Sequence, residues 1–324
     1  MGNEAIALGG LKAGMTFYSG YPITPASEVM HFLAKVKDFK FVHCEDEIAS
    51  INMIIGASLV GDKVMTATSG PGFSLMQEGI GYGFMAEIPM VIVNTMRVGP
   101  STGMPTLPSQ GDVSQACNVS HGDTYPIIFY PNSVKECYKV MVDAFNCAEE
   151  FKGPVIVLLD AFVSHMYEPV DIDSINVEIV ERSIKSIGNG KGHVTGLISE
   201  DGNPKTKDPE AYKRWIANVK ERRNEVVKKY NNYKFIDKGG RLIIAYGVVS
   251  RVVKDLEDSI FIPTRLFPVL DELKEISKKF KEIIVIEMND GQYADILEKE
   301  LLRKVKRVSI LGGDINLEDV KSQL

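Results

Sequence analysis

Four short apolar runs in the first third of the chain each end in a loop whose residues a packed core does not require. Tyr21-Pro22-Ile23-Thr24-Pro25-Ala26-Ser27 follows Met15 to Tyr18, and Glu45-Asp46-Glu47 follows Phe41-Val42. Ser69-Gly70-Pro71-Gly72 follows Val64 to Thr68, and Arg97-Val98-Gly99-Pro100-Ser101-Thr102-Gly103 follows Pro89 to Thr95. If these runs are parallel strands, their carboxyl ends share one edge, where open α/β sheets bind ligands. A hydroxyl, a carboxylate, a Gly-Pro turn and an arginine then surround a single cleft.

The rest of the chain supports that frame. Asn3 is placed to cap a helix through Leu11 that stops at Gly14, and Glu47 opens a helix with Ile48, Ile51, Ile54 and Ile55 on one stripe. β-rich runs alternate with helices up to Val155–Leu159, which implies βαβ crossovers and a buried parallel sheet with helices on both faces. That rhythm fails over residues 169–238, a polar stretch with Gly188-Asn189-Gly190-Lys191-Gly192, the turn Asp201-Gly202-Asn203-Pro204 and a charged helix from Asp208 to Tyr230 carrying Trp215. It returns with Leu242–Tyr246, a helix over Leu270–Phe280 and the strand Ile283–Glu287. Two α/β domains are expected, 1–168 and 239–324, which suits a chain of 324 residues.

Composition narrows the class. Lys plus Arg number 37 against 43 Asp plus Glu, a net charge of −6, which argues against a nucleic-acid binder while leaving room for a small anion held by one arginine. No apolar run approaches the roughly 20 residues of a membrane span, and Met1-Gly2-Asn3-Glu4-Ala5 does not read as a signal peptide, so a cytoplasmic protein is expected. Cys44, Cys117, Cys137 and Cys147 show no CxxC spacing, and the five histidines never pair at ligand spacing, so no metal or cluster site is expected on this chain.

Each candidate residue also has a structural explanation. Thr24 between two prolines is a stiff turn that carries a hydroxyl. Glu47 suits a first helical turn, as do Glu45 and Asp46, but it alone leads directly into apolar residues. Ser69-Gly70-Pro71-Gly72 allows either close packing or ligand approach. Arg97, after Val91-Ile92-Val93, can grip a carboxylate through two parallel bonds or serve an internal ion pair. His121-Gly122-Asp123 suits a tight loop near a ligand.

Taken together, Gly20–Pro25, Glu45–Ile51, Thr66–Gly81 and Gly99–Gly103 resemble the α subunit of 2-oxoacid:ferredoxin oxidoreductases, most closely the 2-oxoglutarate branch. The match continues through Gln110-Gly111-Asp112-Val113, His121-Gly122-Asp123, Glu136-Cys137, Pro154, Leu159-Asp160, Arg265-Leu266-Phe267-Pro268 and Glu287-Met288-Asn289-Asp290-Gly291-Gln292. Thr124 and Ala161 depart from the pattern, where a histidine and a glutamate are common, and bear on substrate preference.

The resemblance implies a thiamine-diphosphate enzyme that converts a 2-oxoacid and coenzyme A to acyl-coenzyme A and carbon dioxide, reducing ferredoxin. The first domain would be a pyrimidine-binding domain and the second a transketolase C-terminal-like domain. Glu47 matches the glutamate that bonds the aminopyrimidine ring and favours its imino tautomer. Thr24 and Arg97 match positions that bind the substrate carboxylate; Tyr21, Pro22, Ile23, Ser69, Gly70, Pro71 and Gly72 would contact the cofactor, and Ser101, Thr102 and Gly103 coenzyme A or substrate. The Gly-Asp-Gly segment that holds diphosphate and magnesium is not written here, because Gly312-Gly313-Asp314 lies too near the C-terminus. A β subunit is therefore expected to carry that site, with iron-sulfur clusters on it or on further subunits. Branched-chain 2-oxoacids or pyruvate are the alternative substrates, and a non-catalytic scaffold or ligand-binding subunit is the alternative of another class.

Overall fold

The computed structural model describes residues 1–184, 186–189, 194–200 and 203–324. Gly190, Lys191 and Gly192 of the glycine segment, Asp201 and Gly202 of the following turn, and His193 lie outside them. The strands are β1 Phe17–Gly20, β2 Lys40–His43, β3 Val64–Thr68, β4 Met90–Val98, β5 Met104–Pro108, β6 Ile128–Phe129, β7 Pro154–Asp160, β8 Ser199–Glu200, β9 Asn203–Pro204, β10 Tyr233–Ile236, β11 Leu242–Ile244, β12 Ser259–Pro263, β13 Arg265–Phe267, β14 Ile283–Glu287 and β15 Lys306–Ser309.

The first sheet runs β13-β6-β7-β4-β3-β1-β2, with β5 hairpinned onto β4. Its strands are parallel except β5 and β13, which pair antiparallel. Every residue of β3 and β7 is buried. Since successive side chains point to opposite faces, both faces must be covered. The second sheet, β10-β12-β11-β14-β15, is parallel but for the edge strand β10, which lies within the polar stretch 169–238. Burying each Val, Ile or Leu of these strands contributes about 1.5–3 kcal/mol. No helix among the described residues is long and apolar enough to cross a membrane.

Several local expectations shift. Asn3 does not cap the first helix: it sits inside Gly2–Lys12, buried, and its amide donates to the Pro25 carbonyl and to Glu28 Oε2, each at 2.8 Å. It thereby ties the first helix to the Thr24-Pro25 loop. Gly14, at φ +85°, does follow the helix end. In the helix Glu47–Leu59, Ile51, Ile54 and Ile55 are buried but Ile48 is half exposed, because the stripe begins one turn later. The charged helix spans Pro209–Val227; Trp215 stacks on Tyr212, and Arg222 donates to the Phe151 carbonyl and to Glu87, pinning the helix to the first sheet's layer.

A polar seam joins the two sheets. Gln110 N donates to the Met288 carbonyl and Met288 N to Gln110 Oε1, both at 3.0 Å, while Gln110 Nε2 donates to the Tyr246 carbonyl at 3.0 Å. Asn289 Nδ2 donates to the Gln110 carbonyl at 2.8 Å. Nearby, buried Glu287 accepts from Tyr246 Oη at 2.7 Å, Tyr293 N at 2.9 Å and Ala294 N at 3.0 Å. Asp160 accepts from Tyr130 Oη, Val163 N and Val248 N. Gly247, at φ +54°, passes so close that a methyl there would overlap the Asp160 carboxylate and the Tyr130 ring.

Candidate active site

The loop after β2 separates its three carboxylates by position. Asp46 is extended and caps the helix, accepting Ala49 N at 2.6 Å, and Glu45 is exposed. Glu47, the first helical residue, turns inward and is 5% exposed. Burial pushes its carboxyl up, opposed by its own backbone N–H; the Asp46 charge adds to the rise, and the Thr68 hydroxyl and the Arg97 charge oppose it. Thr68 is the last residue of β3, and a methyl on Gly72 would overlap both its hydroxyl and the Glu47 carboxylate. Glycine at 72 is thus the condition for an acid and a hydroxyl to meet beneath the next helix.

Ser69-Gly70-Pro71-Gly72 forms a helix start rather than a free turn. Ser69 is the extended residue before Gly70–Leu75, and proline in that first turn costs no hydrogen bond, because its missing N–H has no intrahelical partner there. The Ser69 hydroxyl is buried without a partner.

Arg97 does not follow its strand, as the sequence suggested, but lies within it. The hairpin to β5 supplies a pairing partner, so β4 continues to Val98, with Arg97 opposite Pro108. Arg97 is 8% exposed; its guanidinium donates from Nη1 to the Thr24 carbonyl at 2.7 Å and leaves Nε without a partner. Thr24 therefore meets Arg97 through its backbone, its side chain being exposed.

One cleft of about 780 Å³ opens over these strand ends, lined from both sheets. Gly70, Pro71, Arg97 and Ser101 line it, joined by Asp112, Gln115, Asn289, Asp290, Gln292 and the Leu311–Gly313 loop. Glu47, Thr24, Tyr21, Pro22 and Ile23 are not among its lining residues: Glu47 lies beside Gly72, and the Tyr21–Thr24 loop reaches the cleft through Arg97. The four loops therefore share an edge but not one cavity. Thr102 and Gly103 are exposed at the hairpin tip. His121-Gly122-Asp123 lies apart from the cleft lining, with Asp123 accepting Tyr212 Oη at 3.2 Å.

Asp112 is the residue the sequence did not single out. Burial pushes its carboxyl up, while a 2.9 Å bond from Asn94 Nδ2 and the Arg97 charge draw it down. Gln292, which follows β14 of the second sheet, donates to the Gly111 carbonyl at 2.6 Å and accepts from Ser114 N at 2.9 Å, clamping the turn that carries it. Parallel pairing sets Thr68 beside Asn94, so Glu47–Thr68 and Asn94–Asp112 stand on adjacent strands at the same level. All four cysteines are free thiols, and among the described residues no three His, Cys, Asp or Glu side chains converge as a cation site.

The family model described as pyruvate flavodoxin/ferredoxin oxidoreductase, thiamine-diphosphate-binding, matches residues 9–234. The chain is 41% identical over 331 residues to the 2-oxoglutarate synthase subunit KorA of Archaeoglobus fulgidus, across 96% of this chain and 94% of that protein. It is 36% identical over 338 residues to the ketoisovalerate oxidoreductase subunit VorB of Methanothermobacter marburgensis, across 98% and 94%. Among solved structures, the 2-oxoglutarate:ferredoxin oxidoreductase from Magnetococcus marinus, with 2-oxoglutarate, coenzyme A and succinyl-CoA bound, superposes with a TM-score of 0.88 at 31% identity. That match takes in 99% of this chain but 64% of the other. A split-gene transketolase superposes at a TM-score of 0.57 and 15% identity, a likeness of fold alone.

Proposed function

The chain belongs to the pyruvate flavodoxin/ferredoxin oxidoreductase family with its thiamine-diphosphate-binding domain, and from that premise we propose that it is the α subunit of an enzyme that decarboxylates 2-oxoglutarate oxidatively with coenzyme A, giving succinyl-CoA, carbon dioxide and reduced ferredoxin. The observation that carries this is Glu47: a buried acid with a raised proton affinity, set beside the Thr68 hydroxyl over the bare Cα of Gly72. These residues fit the aminopyrimidine end of the cofactor, with the unpartnered Ser69 hydroxyl beside them. When bound, thiamine diphosphate supplies the carbanion chemistry that 2-oxoacid decarboxylation needs. Glu47 holds a shared proton at its carboxyl, a task suited to a buried site where the neutral form is favoured. Arg97 grips the substrate carboxylate, with the Thr24-Pro25 loop steadying it from behind.

A β subunit would hold the diphosphate and magnesium, and clusters would sit on that or further subunits. Residues 1–168 would act as the pyrimidine-binding unit and 239–324 as the transketolase C-terminal-like unit, with 169–238 strapping the two. The Ser101-Thr102-Gly103 tip would meet coenzyme A or substrate.

One observation favours a second substrate. Among the described residues lining the cleft, Arg97 is the only cation, whereas 2-oxoglutarate brings two carboxylates. Either the partner supplies the second cation or the substrate is a branched-chain 2-oxoacid, as the name of the VorB relative suggests.

The deciding experiment purifies the chain with its co-eluting partner and follows viologen reduction that depends on coenzyme A and a 2-oxoacid. 2-Oxoglutarate should be used best. Preference for 2-oxoisovalerate transfers the assignment to the second substrate, and no reduction with any 2-oxoacid returns the chain to a scaffold role. The chain alone should bind thiamine diphosphate poorly by calorimetry; tight stoichiometric binding removes the need for a partner-borne half-site.

A further inference from the structure

Arg97 forms no ion pair with either nearby acid, Glu47 or Asp112. Its bonds go to the Thr24 carbonyl, its Nε is buried without a partner, and it forms no ion pair among the described residues. Its charge nevertheless reaches both the Glu47 and the Asp112 carboxyl. Asp112 is the one of the two that lines the cleft. Its Oδ2 accepts Asn94 Nδ2 at 2.9 Å and lies 3.1 Å from where a methyl on Gly70 would stand. The charged and titratable groups around it are Arg97 of β4 and Asp290, which line the same cleft, and the Tyr130 phenol just after β6, while the Arg97 charge also reaches Glu47.

We propose that Asp112 is the proton acceptor for anion binding in this cleft: when a carboxylate settles on Arg97, one proton from solvent moves onto the Asp112 carboxyl. The inference rests on Arg97 being the carboxylate-binding residue of the proposed function. Without ligand, the Arg97 guanidinium offsets the Asp112 carboxylate, burial holding Glu47 toward its neutral form. A ligand carboxylate makes two anions to one cation, and a partly desolvated carboxylate left without its counter-charge takes up a proton. Asp112 receives it because it faces the side from which both ligand and solvent arrive, whereas Glu47 lies behind Gly72. The balance is one proton lost by buffer and one O–H bond formed at Asp112; no electrons move.

The direction with pH follows. Below the free-state titration of Asp112 the proton is already bound, and above its ligand-bound titration none is taken. Between the two, affinity for the anion falls as pH rises, by at most about tenfold per pH unit for one linked proton.

Oxamate, a 2-oxoacid-like anion without a reactive ketone, is titrated calorimetrically into the assembled enzyme in buffers of different ionisation enthalpy, between about pH 5 and 8. Wild type and Glu47→Gln should take up a proton on binding, and Asp112→Asn should bind without uptake. Equal uptake in Asp112→Asn, none in wild type, or loss only in Glu47→Gln overturns the inference. Arg97→Gln separates the premise from the inference: oxamate affinity unchanged in that variant refutes the carboxylate role of Arg97 itself, and the inference falls with it. If Asp112→Asn fails to assemble, Asn94→Ala decides, because removing the amide that favours the ionised Asp112 should move the pH of greatest uptake upward, and an unmoved profile overturns the inference.

Discussion

The seam between the two sheets and the strands behind the cleft are both buried and polar, yet they treat their hydrogen bonds in opposite ways. In the seam, Gln110 uses its backbone N–H, its carbonyl and both ends of its amide, and Glu287 and Asp160 each accept three bonds. Along β3 and β4 and just after β3, Thr66 Oγ1, Ser69 Oγ, Asn94 Oδ1, Thr95 Oγ1 and Arg97 Nε have no partner, five of the nine such atoms among the described residues. A buried polar group left unbonded costs about 1–3 kcal/mol. A fold therefore keeps five together only where something other than stability is being served. The seam holds the two sheets in register; of the five, Arg97 lines the cleft and the other four lie buried behind it.

The contrast predicts that cleft substitutions cost turnover and seam substitutions cost stability. The largest effect is expected for Glu47→Gln in the assembled enzyme, with turnover down about 10²–10⁴-fold from loss of one positioned acid-base group and an unfolding midpoint unchanged or raised, because a buried carboxyl that resists ionisation has become neutral. Near-normal turnover would move the role to another group. Next in size is Tyr246→Phe, which strips a donor from buried Glu287 and an acceptor from Asn289. It should lower stability by about 1–3 kcal/mol while leaving saturated turnover close to wild type; the reverse pattern would break the comparison.

The sequence showed the parts of this contrast unequally. Strands β3 and β7 were legible because an unbroken apolar run bounded by turn residues has few other uses. Glu47 stood out because an acid directly before an apolar helix must choose between capping and burial, and Asp46 takes the cap. Asp112 was not legible. Its setting depends on Asn94 from an earlier strand and on Gln292 just after β14 of the other sheet, and no local pattern encodes partners that distant. The extension of β4 through Arg97 depended on the β5 hairpin, and the role of Asn3 on a loop more than a helix away. Gln110 looked like one letter of a motif, and only the fold reveals it as the clasp between sheets.

Arg97→Lys tests the cleft at intermediate size. The ammonium keeps the charge but loses the planar fork, so every 2-oxoacid should bind about tenfold more weakly, the loss of one charge-assisted bond, with their order of preference kept. If only 2-oxoglutarate suffered, Arg97 would be reading the distal carboxylate instead.

The smallest effect separates the two regions most directly. Thr95→Val replaces a buried hydroxyl that has no partner with a methyl of the same shape. In the seam the equivalent change, Tyr246→Phe, deprives neighbours of bonds; at Thr95 no neighbour loses anything. Removing an unsatisfied hydroxyl relieves its desolvation cost, so stability should rise by roughly 0–1 kcal/mol, read as a shift of the denaturation midpoint. Destabilisation by as much as Tyr246→Phe would mean that the Thr95 hydroxyl is bonded through ordered water, and the cleft floor would then be as fully satisfied as the seam. A stabilised variant with weakened substrate binding would sharpen the contrast, because it would show this hydroxyl kept for the ligand at the expense of the fold.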